Sequence, residues 1–404
     1  MPFGIPPQRF VATLLFALLL LPMSSFADDA QDAAGTTKGL TIQDGDDHLL
    51  RIGGRLQSRL TFEKPDEGDN EIFFNIPRAR LALSGYAFSK DLSYKFQADF
   101  GKGQASLKDF YMDYAVRKGA FHIRMGQQKR PFSRQFINSS AKLLFVDRAT
   151  TTTAFELDRD IGIVFHNNMT QSPTFEWALG VLNGDSVSSR VDGTVSGTAE
   201  GTVTRTTDDG LVDVTFTDGT ITDGTSTGKV TNSIDHFEPA LVLRLGYNHG
   251  TLKGYSEGDL EGGGLRFGIG VGTYATLDMD DDKDAFVRTT IDTMLKVSGF
   301  ALSGAFFVQM DQDGDSFTDQ SMGLMGAFAQ ASYAIGGQYV PAARFSWIHD
   351  DDADTTSQEI AVGFGALFYG HKVKWQTDVA VQMTKIGDTS TSDIVGRSQL
   401  QFSF

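Results

Sequence analysis

The chain has 404 residues, with 35 Lys+Arg, 51 Asp+Glu and no cysteine, and its formal net charge at pH 7 is −16. The absence of cysteine excludes a disulfide framework and a thiolate metal site, and we expect no nucleic-acid partner. The 44 glycines, 32 phenylalanines and only 10 prolines suit many strands joined by tight turns.

Residues 1–27 have the features of a secretory signal peptide. A basic residue precedes an apolar run, and the small residues Ser25 and Ala27 stand at positions −3 and −1 of a cleavage site. The apolar run, residues 11–21, is too short to cross a bilayer, since a membrane-spanning helix needs about 20 residues. We therefore expect residues 1–27 to be removed. We expect residues 28–48 to be a short acidic lead-in that is only loosely attached.

Residues 50–62, LRIGGRLQSRLTF, have the two-residue alternation of an extended strand. One face has Arg51, Arg55 and Arg59, and the opposite face is mainly apolar. In a soluble sheet the apolar face would pack against a core. In a transmembrane barrel the same face contacts lipid, and the arginines face a water-filled lumen. Residues 92–100 alternate in the same way, with Lys95 on the polar face.

Sixteen segments of the mature chain show this alternation, seven before residue 183 and nine after residue 236. Very short turns alternate with longer acidic loops, which is typical of outer-membrane barrels. A closed barrel also leaves no strand edge unpaired in lipid. We therefore predict an all-β fold over residues 49–404, a transmembrane antiparallel up-and-down barrel of about 16 strands.

Two connections stand out in this prediction. Residues 183–236 are rich in Thr, Gly and Asp and form either a long extracellular surface loop or a hairpin insertion, which would leave the strand parity unchanged. Residues 249–263 should be a short turn by parity, yet this connection has fifteen residues. The strand register is therefore least certain around residues 249–263.

From about residue 51 to residue 162 the sequence resembles the phosphate-selective porin O and P family of Gram-negative outer membranes. The resemblance depends on the order of several sequence words, which are GGRLQ (53–57), PRARLALSG (77–85), LKDFYMDY (107–114), RMGQQKRPF (124–132) and DR followed by FELDRDIGI (147–148 and 155–163). The second half matches more loosely, through GAFAQASYAI, HKVKWQTD and RSQLQFSF. The sequence departs from the family at Pro77, where a further arginine is expected.

The resemblance implies a trimeric sixteen-strand barrel whose third extracellular loop, residues 130–158, folds inward and narrows the pore. It also implies lumenal basic groups that pass anions along. We therefore predict a passive channel for small anions such as phosphate, in contact with outer-membrane lipid and lipopolysaccharide, with no catalytic residue, cofactor or metal. The predicted pore-lining, anion-binding residues are Arg51, Arg55, Arg59, Arg78, Arg80, Lys95, Arg124, Arg130 and Arg134.

The distribution of charge leaves an alternative open. Residues 72–148 have 14 Lys+Arg and 5 Asp+Glu, whereas residues 172–404 have 14 Lys+Arg and 32 Asp+Glu. The acidic second half favours a general or weakly cation-preferring porin without phosphate selectivity. A secreted soluble β-protein that uses residues 183–236 for adhesion is a further alternative, and an outer-membrane hydrolase is a remote one.

Overall fold

The structure is a computed structural model that describes residues 39–103, 105–184, 201–208, 211–218, 239–252, 254–276, 285–312 and 320–404. Nineteen strands are present in these residues. They are β1 (Leu40–Asp44), β2 (His48–Lys64), β3 (Glu71–Ala87), β4 (Ser89–Asp99), β5 (Ser106–Arg117), β6 (Phe121–Lys129), β7 (Arg159–His166), β8 (Phe175–Leu182), β9 (Gly201–Asp208), β10 (Leu211–Asp218), β11 (Ala240–His249), β12 (Arg266–Thr276), β13 (Phe286–Val297), β14 (Phe300–Gln312), β15 (Gln320–Tyr333), β16 (Tyr339–Asp350), β17 (Thr355–His371), β18 (Val373–Ile386) and β19 (Thr389–Ser403).

Sixteen of the strands in the described residues, β2 to β8 and β11 to β19, form a closed antiparallel barrel, as predicted. The first and last barrel strands pair with each other, for example through Leu56↔Phe402. Strands β8 and β11 pair directly, for example through Trp177↔Leu245, although a long connection separates them in sequence. Each of the sixteen strands therefore has a hydrogen-bonded neighbour on both edges.

The two faces of the wall have the predicted character. Leu56 and Phe402 lie on the outer face, where 46% and 52% of their surfaces are exposed. Arg55, next to Leu56, points inward and contacts residues of the connection between β6 and β7. Since consecutive side chains of a strand point to opposite faces, the outer surface is apolar and suited to lipid.

Of the predicted lead-in, residues 28–48, the structure describes residues 39–48, and these are not loosely attached. Residues 40–44 form β1, which pairs with residues 48–52 of β2. The turn between the two strands begins at Gly45, whose φ of 58° lies in the left-handed region that glycine adopts readily. The tight turn and the ladder of backbone hydrogen bonds hold this segment to the barrel. The predicted signal peptide, residues 1–27, lies outside the described residues.

Strand β3 contains a bulge at Pro77. Gln57 pairs with Arg78 and Arg59 pairs with Asn75, so two residues of β3 lie opposite one residue of β2. Proline has no N–H to donate, and a bulge is a place where a strand tolerates it. A bulge therefore occurs where the family resemblance leads us to expect a further arginine.

The connections alternate between a long-loop end and a short-turn end of the barrel. The third connection at the long-loop end, residues 130–158, contains the short helices α1 (Arg134–Ile137) and α2 (Thr150–Phe155). Strands β9 and β10 form a separate antiparallel hairpin within residues 183–239. Residues 250–265, between β11 and β12, are the exception at the short-turn end. No helix in the described part of the chain is long and apolar enough to cross a membrane.

The outward orientation of β18 predicts the effect of a charge on its lipid face. Val379 lies near the middle of β18 and is 48% exposed. We expect Val379→Arg to lower the free energy of unfolding by about 2–4 kcal/mol, the cost of a basic side chain at the bilayer midplane. Urea titration in phospholipid vesicles, followed by tryptophan fluorescence, measures this change. Ala353→Arg, in the exposed connection after β16, is the matched control, and an equal loss in both variants would contradict the lipid-facing assignment.

Candidate functional site

The connection between β6 and β7, residues 130–158, packs against inward-facing side chains of the barrel wall and is called the third loop below. Its four phenylalanines, Phe132, Phe136, Phe145 and Phe155, are at most 2% exposed. Phe155 stacks on Phe307 of β14, with ring centroids 5.0 Å apart. The burial of four aromatic rings supplies a large apolar contribution to the position of the loop.

Inward-facing polar side chains of β18 bind the backbone of the third loop. Gln376 Nε2 donates to the carbonyl oxygens of Leu143 and Leu144, at 2.9 and 2.8 Å. Asp378 Oδ2 accepts a hydrogen bond from the backbone N–H of Val146 at 2.9 Å. These bonds satisfy backbone groups that are removed from water, and a buried unpaired group would cost about 1–3 kcal/mol.

The part of the interior next to β11 to β18 is therefore filled by packed side chains of the third loop and the barrel wall. The sequence predicts a water-filled lumen, and for the part of the interior next to β11 to β18 this prediction is wrong. A dry cluster instead joins third-loop residues to inward residues of the wall, including Val242, Tyr274 and Phe328. The physical reason is that these inward positions are apolar and match the aromatic side chains of the loop.

Asp147, on the third loop, is the centre of an arginine cluster. Its carboxylate accepts hydrogen bonds from Arg59 at 2.8 and 2.9 Å, from Arg78 at 3.2 Å and from Arg397 at 3.3 Å. Burial tends to raise the pKa of Asp147, but the charges of Arg59 and Arg78 outweigh burial and hold this pKa well below its usual range. The loop carboxylate thus occupies the place among three guanidinium groups where a free anion could bind.

Two predicted site residues lie in closed ion pairs instead of in an open path. Arg130 is 2% exposed, and its Nη2 is 2.9 Å from Asp160. Arg134 is 3% exposed and pairs with Asp292 at 3.2 Å and Glu176 at 3.4 Å. The sequence placed both arginines in the third loop but could not show that carboxylates of the wall neutralise them. We therefore leave Arg130 and Arg134 out of the anion path proposed below.

A cavity of about 160 Å³ lies on the opposite side of the third loop, against β2 to β7. Four predicted residues, Arg55, Arg80, Lys95 and Arg124, line it together with Lys129 and Arg159, which the sequence analysis did not select. Both additional residues stand inside the family-like words RMGQQKRPF and FELDRDIGI, so the signal was present in the sequence. The cavity is therefore lined by six basic side chains.

Carboxylates of the wall offset part of this positive charge. Asp99 pairs with Arg80 and Asp113 pairs with Arg124, both at 2.6 Å. Asp109 pairs with Lys95 and Arg159, and Asp158 also pairs with Arg159. Six basic groups thus face four carboxylates, which leaves an excess of two positive charges. A moderate excess attracts anions without fixing them permanently.

Arg55 differs from the four ion-paired basic residues of the cavity and from Lys129, whose Nζ donates to the carbonyl oxygens of Phe136 and Asn138. Its guanidinium contacts the hydroxyl of Ser140 at 2.9 Å and that of Ser139 at 3.5 Å, and its Nε atom has no hydrogen-bond partner. Within the described residues, no carboxylate lies within ion-pair distance of Arg55. Arg80 Nη1 reaches the same Ser140 hydroxyl at 3.4 Å. Arg55, Arg80 and the two serines therefore form the group best suited to an added anion.

The remaining predicted residues lie elsewhere. Arg59 and Arg78 belong to the cluster around Asp147 and are not among the residues that line the cavity. Arg51 is half-buried near the start of β2 and is not among the residues that line the cavity. The nine predicted residues are thus divided among the cavity, the Asp147 cluster, the buried ion pairs and the start of β2.

Among the residues with described side chains, Asp113, His122 and His166 form a group whose ligand atoms lie within 4.8 Å of one another. Backbone N–H groups donate to His122 Nε2 at 3.3 Å and to His166 Nδ1 at 2.9 Å. Those two nitrogens are therefore unprotonated, so the other nitrogen of each neutral ring bears the proton and donates it to Asp113. This arrangement fits a carboxylate held by hydrogen-bond donors better than it fits a metal site.

Residues 50–244 match the family model described as phosphate-selective porin O and P. This match and the closed barrel indicate an outer-membrane porin channel that is similar to this family over residues 50–244. Porins are outer-membrane channels, and the family and the channel fold indicate a protein without enzymatic activity. The match confirms the family and the fold predicted from the sequence.

The chain is also similar to an uncharacterized protein and to two solved structures, at low sequence identities. An uncharacterized protein of Aquifex aeolicus (strain VF5) is 22% identical over 391 residues, which cover 88% of this chain and 87% of that protein. An anion-selective porin from Comamonas acidovorans has a TM-score of 0.52 and 11% identity, with 87% of this chain and 99% of that chain covered. OmpT of Vibrio cholerae in its trimer form has a TM-score of 0.50 and 9% identity, with the same coverage. At these identities the two structures show the shared barrel fold.

The Asp147 cluster predicts how the stability of the porin depends on pH. Because the folded protein holds the pKa of Asp147 below the unfolded value of about 3.9, the carboxylate stabilises the fold above that pH and loses this effect as the pH falls below it. We expect Asp147→Asn to lower the free energy of unfolding by about 1–2 kcal/mol at pH 7 and by less at pH 3.

Denaturant titrations in detergent at several pH values measure the difference between wild type and Asp147→Asn. Asp354→Asn, at an exposed position before β17, is the control, and we expect it to change stability little at any pH. A difference between wild type and Asp147→Asn that stays constant from pH 7 to pH 3 would show that the Asp147 charge is not what stabilises the cluster.

Proposed function

We propose that the porin is a passive channel with a preference for small anions, among which phosphate is the first candidate. The observation that supports this proposal is the cavity of about 160 Å³ with its six basic side chains and excess positive charge. The porin from Comamonas acidovorans described as anion-selective shares the fold.

The chemistry of the cavity suits an oxyanion. A guanidinium group donates several hydrogen bonds in a planar arrangement that matches the oxygens of phosphate or a carboxylate. Arg55 offers its guanidinium group, while Ser139 and Ser140 offer hydroxyl groups. Such donors replace part of the hydration shell of the anion. Lys95 and Arg124 provide further cationic positions, which allow the anion to move onward.

A general or weakly cation-preferring porin is the second candidate, and the acidic second half of the chain favours it. Within the described residues, the buried acids on the barrel strands of that half are Glu176, Asp292, Glu359 and Asp378. Each of them forms an ion pair with an arginine of the interior. Their charges are therefore compensated locally, and this pairing supports the anion channel over the second candidate.

Reversal potentials in planar lipid bilayers distinguish the two candidates. With unequal KCl on the two sides, we expect wild type to show a potential of the sign given by chloride permeation. Added phosphate should reduce the chloride current, because the two anions compete for Arg55 and Arg80. A reversal potential of the opposite sign would exclude the anion channel and support the general porin.

We expect Arg55→Gln to weaken the block of chloride current by phosphate at least about tenfold, since a charge-assisted hydrogen bond contributes about 1.5–3 kcal/mol. The concentration of phosphate at half block measures this change. Lys118→Gln removes the same charge at an exposed turn and is the matched control, because the Lys118 side chain is 69% exposed and outside the cavity. Equal half-block concentrations in Arg55→Gln and Lys118→Gln would remove Arg55 from the proposed site.

We further propose that the porin assembles as a homotrimer surrounded by outer-membrane lipid and lipopolysaccharide, after removal of residues 1–27. Support for the trimer comes from the family resemblance and from the trimer form of OmpT. Unheated samples in mild detergent should migrate at about three times the mass of the processed monomer after chemical cross-linking. Migration at the monomer mass under the same conditions would contradict the trimer.

A further inference from the structure

The connection between β11 and β12, residues 250–265, is called the clamp segment here. It begins at the short-turn end of the barrel, whereas the third loop begins at the long-loop end. Four of its side chains, Leu252, Tyr255, Glu257 and Asp259, are at most 5% exposed. A connection at a turn end is normally solvated. This one is therefore folded against other parts of the protein.

Glu257 joins the clamp segment to the third loop. Its Oε1 accepts a hydrogen bond from Gln135 Nε2 at 2.9 Å, and its Oε2 accepts one from the backbone N–H of Leu144 at 2.8 Å. Gln135 belongs to α1, and Leu144 lies nine residues later, so one carboxylate holds two separate parts of the loop. The segments that enter from opposite ends of the barrel therefore meet at Glu257.

Tyr255 strengthens the same junction. Its ring lies 4.5 Å from the guanidinium carbon of Arg134, which belongs to the third loop. Its hydroxyl accepts a hydrogen bond from Arg244 Nε at 3.4 Å. The negative face of an aromatic ring attracts a cation, and the attraction is stronger when both groups are removed from water. The ring thus connects the third loop, the clamp segment and the wall strand β11.

The clamp segment is itself fixed to the wall. Lys296 Nζ of β13 donates to the carbonyl oxygen of Ser256 at 2.6 Å. Asp259 accepts hydrogen bonds from Arg266 at 2.8 Å and from the backbone N–H of Gly299 at 2.9 Å. Because Ser256 before it and Asp259 two residues after it are attached to the barrel, Glu257 has little freedom to follow a moving loop.

The space around the junction is almost completely filled. The cavity beside Tyr255 and Glu257 measures about 10 Å³, room for about one water molecule. The cavity on the other side of the third loop measures about 160 Å³. The side of the interior that contains the clamp segment is therefore closed, and the side with the basic lining is open.

We propose that the clamp segment holds the third loop against the β11 to β18 wall and so confines permeating ions to the basic cavity, with Glu257 as the positioning residue. The inference rests on the channel function proposed above. Glu257 is a buried carboxylate, and its hydrogen-bond donors within the described residues are neutral groups. Loss of its oxygens leaves the Leu144 N–H without its acceptor and leaves Gln135 Nε2 with only the longer hydrogen bond to Gln330 Oε1 at 3.4 Å, which frees the loop.

Single-channel recording in planar bilayers tests this proposal. In 1 M KCl we expect Glu257→Ala to raise the open-channel current noise severalfold and to increase the unit conductance about twofold, because the loop no longer closes one side of the interior. We expect Glu257→Gln to restore most of the wild-type behaviour, since its amide oxygen still accepts one of the two hydrogen bonds. Glu261→Ala is the matched control, because the Glu261 side chain belongs to the same segment and is 47% exposed.

Wild-type conductance and noise in folded Glu257→Ala would overturn the proposal. If Glu257→Ala does not fold, Gln135→Ala removes one donor while keeping the carboxylate, and unchanged noise in that variant would have the same meaning. Conductance and noise do not depend on the sign of the preferred ion. The wild-type reversal potential tests the anion preference separately, so the failure of either proposal can be recognised.

Discussion

The constraint on which the whole structure depends is that every backbone N–H and C=O group inside the hydrocarbon must have a hydrogen-bond partner within the protein. A sheet meets this requirement only when its first and last strands pair, as β2 and β19 do. The same requirement explains why β8 and β11 pair directly across a long connection. The closed ladder also fixes which side chains face lipid and which face inward, because successive residues alternate.

Closure leaves open how the interior is filled, and the two sides of this barrel differ. Next to β11 to β18 the inward side chains bind the third loop through aromatic packing, backbone hydrogen bonds and buried ion pairs. Removing one member of a buried ion pair leaves an uncompensated charge that costs about 3–5 kcal/mol. The ion pairs therefore hold the third loop to the wall only while both partners are present. Next to β2 to β7 basic side chains outnumber acidic ones and a cavity remains. The formal charge of −16 therefore says little about the surface that an ion meets.

The sequence predicted the barrel closely, because strand formation depends on a local two-residue period. The alternating residues 50–62 correspond to β2 with end differences of two residues. The candidate site was predicted less completely. Arg55, Arg80, Lys95 and Arg124 line the cavity, whereas Arg130 and Arg134 do not. The alternation of side chains predicts which basic residues lie on an inward face. It does not predict which carboxylate pairs with each of them.

The sequence by itself determined the alternating strands, their even number, the two kinds of connection and the family of the chain. Only the tertiary structure decided which arginines stay available to an ion, because their partners come from distant positions. Asp147 and Arg397 form an ion pair although 250 residues separate them. The long connection 250–265 was visible as an irregularity, but its contact with the third loop was not. Such contacts exist only after closure brings the ends of the sheet together, and no periodicity encodes them.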